Sequence, residues 1–259
     1  MKFLRFLPLI SAMAWQNLSA AIVEKPLEYA SGDVTSEGWQ AYDDQQKGPR
    51  PGILIIHQWT GVSDHEKEVA KKLAEMGYSV LVADIYGKGV RPQPPAAGQE
   101  AGKYKNHRDL FRAHLNAALQ TLAKDGHTDA HNLAAIGYCF GGTGVLELAR
   151  SGAAVKGVVS LHGGLDSPNP ADGKNIQGKV LVLHGADDPY VPAKDIQAFE
   201  AEMQHAKVDY KLIKYPGAVH SFTVKAAGND NSKGAAYNAE ADQASWKEMS
   251  NFLKAILGQ

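Results

Sequence analysis

A single cysteine, Cys139, in 259 residues leaves this chain unable to close an internal disulfide. It also lacks an excess of charge of either sign. With 27 Lys and Arg against 28 Asp and Glu, no field is strong enough to attract nucleic acid or an anionic membrane surface. No apolar run approaches the roughly 20 residues a helix needs to cross a bilayer, and there is no internal repeat. What these absences leave is a globular chain, long enough for a large buried core, whose natural partner is a neutral or small anionic molecule.

The N-terminus carries an address. Lys2 and Arg5 precede a short apolar run, and Gln16-Asn-Leu-Ser-Ala-Ala21 closes it with small residues, which is the layout of a signal peptide. Cleavage after Ala21 would remove those two cations and take the formal charge from −1 to −3. The expected product is an exported protein, periplasmic or secreted, with no membrane association after cleavage. Export places the lone thiol in an oxidising compartment, where it is either buried and inert or kept for its reactivity.

After a polar stretch from Glu24 to Arg50 that reads as poor in strand, Gly52-Ile-Leu-Ile-Ile-His57 is hydrophobic on both faces, as strands of a covered parallel sheet are. Ser63-Asp-His-Glu66 has capping-box spacing and opens a helix with Val69, Ala70, Leu73 and Met76 on one face, closed by Gly77. Further buried strands are expected at Tyr78–Ala83, Leu133–Ile136, Val155–Leu161, Lys179–His184 and Val208–Tyr215. Helices are expected at Tyr104–Lys124, Gly142–Arg150, Ala193–His205 and Ala239–Leu257, and the Gly- and Pro-rich segment Tyr86–Lys103 reads as a long loop. Alternating strands and helices predict an α/β fold, a mostly parallel sheet covered on both faces, as a single domain from residue 22 to 259.

The chemistry gathers at the ends of these strands. In Gly137-Tyr-Cys-Phe-Gly-Gly142 a cysteine sits between a buried strand and a helix. A nucleophile on so sharp a turn needs almost no side chain two residues to either side, because the backbone arms nearly touch. Read alone, the string fits equally a glycine-rich turn around a core cysteine. Two later segments bear on the choice. His184-Gly-Ala-Asp-Asp188 follows one buried strand and Tyr215-Pro-Gly-Ala-Val-His220-Ser-Phe222 follows the last. Nucleophile, acid and histidine, each after its own strand, is the chain order of the α/β-hydrolase triad.

These motifs, with His57-Gln-Trp-Thr-Gly61, resemble those of the dienelactone hydrolases from Gly52 to the C-terminus. The resemblance implies an α/β-hydrolase fold, a catalytic Cys139–His220–Asp188 triad, and an oxyanion hole made by the N–H groups of Trp59 and Phe140. It implies a carboxylic ester hydrolase that cleaves a small-molecule ester or lactone through a thioester, without metal or organic cofactor; a monomer is expected. Within Gly185-x-x-Asp188-x-x-Val191 the acid is Asp188 rather than Asp187. Gln58 stands where the family carries a glutamate near the thiol, so Gln58 either leaves Cys139 free of a repelling carboxylate or merely braces the loop. Gln58, Trp59, Tyr86, Tyr138, His162 and Phe222 are candidates to line the pocket, and Lys88 and Arg91 to meet a substrate carboxylate. His127 and His131 have helical spacing but no accompanying ligands, which reads as surface rather than metal. Alternatives on the same residues are thioester cleavage or acyl transfer; from other classes, a non-catalytic binding protein or a thiol redox sensor.

Overall fold

The computed structural model describes residues 21–258. The segment read as a signal peptide therefore lies outside the described residues, apart from Ala21. Eight strands form one sheet: β1 (Ile22–Ser31), β2 (Val34–Asp43), β3 (Arg50–Ile56), β4 (Ser79–Ala83), β5 (Thr128–Tyr138), β6 (Gly157–Leu161), β7 (Lys179–Gly185) and β8 (Tyr210–Tyr215). Their order across the sheet is β1-β2-β4-β3-β5-β6-β7-β8. From β4 to β8 every neighbouring pair is parallel, and the β1–β2 hairpin joins antiparallel through Trp39↔Val82 and Gln40↔Leu81.

Parallel neighbours need crossovers, and of the six helices among the described residues the first five lie in such connections, while the last follows β8. The helices are α1 (Asp64–Glu75), α2 (Ala96–Asn106), α3 (Arg108–Lys124), α4 (Phe140–Arg150), α5 (Ala193–His205) and α6 (Ala239–Leu257). One face of the sheet packs Leu54, Ile56 and Val182 under Leu115 of α3, Val145 of α4 and Phe199 of α5. The other packs Ile53, Ile55 and Leu183 under Leu73 of α1 and Leu253 of α6. This is why the central strands are apolar at consecutive positions: each residue meets a helix layer, and a fully buried Ile or Leu contributes about 1.5–3 kcal/mol. No helix among the described residues is long and apolar enough to cross a membrane.

Two expectations are corrected. The polar stretch from Glu24 to Arg50 is not poor in strand, since it forms the β1–β2 hairpin. These strands lie at the sheet's edge with one side wet, so they carry alternating polar residues instead of a continuous apolar run. The signal was present in Gly32-Asp33, which turns the chain with Gly32 at φ 62° between two alternating segments. The second correction is the loop Tyr86–Lys103, whose distal part winds into α2 from Ala96. The helix expected from Tyr104 to Lys124 is then two helices, broken at His107, whose φ and ψ of −123° and 75° are not helical.

Candidate active site

Strand β5 delivers Cys139 to the sheet's C-terminal edge, and α4 starts at the next residue. Cys139 sits at φ 56°, ψ −113°, a region that side chains rarely occupy and that persists only where the surroundings enforce it. The glycines on either side make the turn possible. A Cβ on Gly137 would collide with the Gly141 carbonyl, and one on Gly141 with the carbonyl of Ile56 in β3. Cys139 thereby stands at the N-terminus of an eleven-residue helix, whose dipole favours negative charge there.

The loop after β8 brings His220 to the same edge. It is anchored to residues 234–236, His220 N–H donating to Gly234 O at 3.2 Å and Ala236 N–H to His220 O at 3.0 Å. Nε2 of His220 lies 3.0 Å from Sγ of Cys139, and Nδ1 lies 2.8 Å from Oδ2 of Asp188. Asp188, after β7, has a fully buried side chain; its other oxygen accepts from Tyr190 N–H at 2.9 Å. The adjacent Asp187 points elsewhere and accepts from Gly217 N–H at 3.0 Å. Burial alone would lower the proton affinity of His220. The hydrogen bonds to Asp188 and Cys139 and the charges on both outweigh it, raising its pKa from 6.5 to about 10. The imidazolium is therefore the form this setting favours.

Opposite lies the Gln58–Trp59 turn. Ile85 N–H donates to Nε2 of His57 at 3.1 Å, so the proton of this buried imidazole is on Nδ1, which donates to Gln58 O at 2.5 Å. The Trp59 and Phe140 N–H groups take no intramolecular partner among the described residues.

The sequence profile of the dienelactone hydrolase family matches residues 38–257. The chain belongs to the dienelactone hydrolase family. It is thus a hydrolase of the α/β-hydrolase fold. A solved structure named m3DLH superposes with a TM-score of 0.88 at 37% identity, covering 92% of this chain and 99% of its own. A dienelactone hydrolase-like promiscuous phosphotriesterase from metagenomic libraries gives a TM-score of 0.88 at 36% identity, covering 91% and 98%. A Synechocystis protein named "Putative carboxymethylenebutenolidase" is 25% identical over 225 residues, 81% of this chain and 88% of that one.

A cavity of about 220 Å³ opens on Cys139, Phe140 and His220 of this dienelactone hydrolase family member, with Trp59, Lys105, Thr143, Tyr190 and Val191 in its wall. Of the candidate pocket residues Trp59 lines it and the other seven do not. Gln58 turns its amide to α1, where Nε2 donates to Oε1 of Glu66 at 3.2 Å. Tyr86 is buried and donates its hydroxyl to Trp59 O at 2.9 Å, holding the turn from behind. Lys88 is engaged by Glu28 and Glu37 of the hairpin, and Arg91 by Asp84 at 3.3 Å. Tyr138 faces the other side of the sheet, lining a separate cavity of about 310 Å³ between α1 and α6. His162 and Phe222 are fully buried, the ring of one edge-on to the other at 5.2 Å. His127 stacks on Tyr42 at 3.9 Å and His131 is exposed. Lys105, Thr143, Tyr190 and Val191 escaped the sequence reading: the path of α2 brings Lys105 beside the thiol and the Asp188 loop brings Tyr190 and Val191, while Thr143 lies in the first turn of α4, four residues past Cys139.

Proposed function

We propose that this chain is a carboxylic ester hydrolase that cleaves an ester or lactone bond with Cys139 as nucleophile. The observation that carries the reading is the unbroken line from Sγ through the His220 imidazole to Asp188, at 3.0 Å and 2.8 Å. Asp188 accepts a hydrogen bond from Nδ1–H and stays ionised, which leaves Nε2 to take the thiol proton. The thiolate attacks the carbonyl carbon, and the carbonyl oxygen becomes an oxyanion. Protonated His220 returns the proton to the departing alkoxide as the carbon–oxygen bond breaks, leaving a thioester on Cys139. Water, giving a proton to Nε2, then attacks the thioester, and the carboxylic acid leaves as the thiol is restored.

The N–H groups of Trp59 and Phe140 serve the oxyanion. Phe140 N–H opens α4 and has no helical acceptor. For Trp59 the support comes from His57: a planar trans peptide points its N–H opposite to its C=O, so fixing the Gln58 carbonyl on His57 turns the Trp59 N–H away from that ring. Residues 1–21 direct export in this reading, so the mature enzyme starts near Ile22. The test is hydrolysis of a p-nitrophenyl ester and an aryl lactone, with a phosphotriester as the class named for the metagenomic relative. Turnover that disappears in Cys139→Ala supports the reading, and turnover that survives the substitution overturns it.

A further inference from the structure

The residue that ties the nucleophile's backbone to the loop carrying the base is His162, a side chain the mechanism does not use. It follows β6 and is completely buried. Its own backbone is at φ 39°, a left-handed conformation that costs a residue with a Cβ about 1–3 kcal/mol and is retained where the surroundings demand it. The N–H of Cys139 is shared between Leu161 O at 3.0 Å and Nδ1 of His162 at 3.2 Å. A backbone N–H can only donate, so Nδ1 is the acceptor and the ring proton is on Nε2. Nε2 in turn donates to Oγ1 of Thr223 at 2.9 Å, three residues beyond His220 in the same turn. The ring also stands edge-on to His220, with centroids 5.3 Å apart. Burial first, then the nearby His220, keeps this imidazole neutral, the form the two hydrogen bonds require.

We propose that His162 is a positioning residue for the Cys139–His220 pair. One imidazole holds the strained amide of the nucleophile on one side and the turn of the base on the other, and so sets the separation of Sγ and Nε2. The proposal rests on the hydrolase reading for its turnover readout, but not for its alkylation readout. Without the acceptor, the Cys139 peptide loses one of two partners that hold it at positive φ. Without the donor, Thr223 and the turn behind His220 lose their tether. Neither loss removes a group that touches substrate, so the effect falls on kcat rather than on KM.

Three variants test it. His162→Leu fills a similar volume with no acceptor. His162→Asn tolerates positive φ and can place an amide oxygen near the Nδ1 position. Thr223→Val cuts only the second link. A displacement of about 1 Å costs on the order of 100-fold in rate, so His162→Leu should lower kcat by roughly that factor with KM within about twofold. His162→Asn should recover about tenfold of the loss, and Thr223→Val should lose about tenfold. Alkylation of Cys139 by iodoacetamide, measured without any ester, should slow in the same order. The proposal is overturned if His162→Leu alkylates and turns over at wild-type rates, or if His162→Asn is no better than His162→Leu. If His162→Leu fails to fold, wild-type kcat and alkylation in Thr223→Val overturn it as well. Wild-type turnover that survives Cys139→Ala overturns the hydrolase reading instead, and the alkylation series still decides for or against His162.

Discussion

Gln58→Glu separates the two roles open to residue 58. Glu66 is fully buried. Its Oε2 accepts from Ser63 N–H at 3.0 Å and Ser63 Oγ at 2.5 Å, and its Oε1 accepts from Gln58 N–H at 3.3 Å and Nε2 at 3.2 Å. The amide of Gln58 is thus one of four donors to a buried carboxylate, and it faces α1. Replacing it by a carboxylate sets two negative charges about 3.2 Å apart, worth about 5 kcal/mol of repulsion at an effective dielectric of 20. The alternative, keeping one of the two protonated at pH 7 against a reference near 4.3, costs about 4 kcal/mol. Whichever route the protein takes, a loss of about 4 kcal/mol should lower Tm by roughly 10 °C in a domain of this size. Because the turn carrying Trp59 is loosened, turnover should fall, while the pH profile of Cys139 alkylation keeps its midpoint. Differential scanning calorimetry and alkylation against pH are the assays. An unchanged Tm together with an alkylation midpoint moved to higher pH would refute this reasoning and return residue 58 to the thiol.

Asp188→Asn should cost several orders of magnitude in kcat/KM by releasing the His220 tautomer, and Asp187→Asn, which meets only Gly217 N–H, should cost less than tenfold; steady-state kinetics that reverse the two would reassign the acid. His220 binds its proton more tightly in the folded protein, near 10 against an ordinary 6.5, so its contribution to stability is complete below pH 6.5 and is lost as pH rises through 10. The Tm advantage of wild type over His220→Gln should therefore shrink between pH 7 and pH 10, and a widening gap would contradict the assignment. Arg150, fully buried, pairs through two nitrogens with Glu202 at 2.9 Å and 2.6 Å; Arg150→Met strands that carboxylate and should lose about 3–5 kcal/mol, with Glu202→Leu in the same chain recovering part of it in urea unfolding.

The central strands were legible because a strand covered on both faces cannot afford polar residues, and Gly52–His57 or Lys179–His184 shows this without any alignment. The elbow was legible for a steric reason: the two glycines flanking Cys139 occupy positions where any Cβ meets backbone. The hairpin was not, since its inner strand β2 buries Ser36 and Gln40 and so looks like a polar linker. That omission misled the reading of Lys88, whose carboxylate partners lie on the hairpin. Tyr138 could have been excluded from the pocket by strand parity alone, because successive side chains point to opposite faces. Thr143 was legible too, one helical turn past Cys139 in α4, whereas Lys105 had no such signal; whether it borders Cys139 depends on how α2 folds back, and that is a property of packing.

The most direct test of nucleophilic hydrolysis at Cys139 is intact-mass measurement of the protein quenched in acid during turnover of a slowly hydrolysed aryl ester. A mass increase of one acyl group per chain is expected, mapped to the peptide containing Cys139, decaying at the rate of steady-state turnover and absent in Cys139→Ala. An acyl group on any other residue that turns over at that rate, or product formation at wild-type rate in Cys139→Ala, would contradict it.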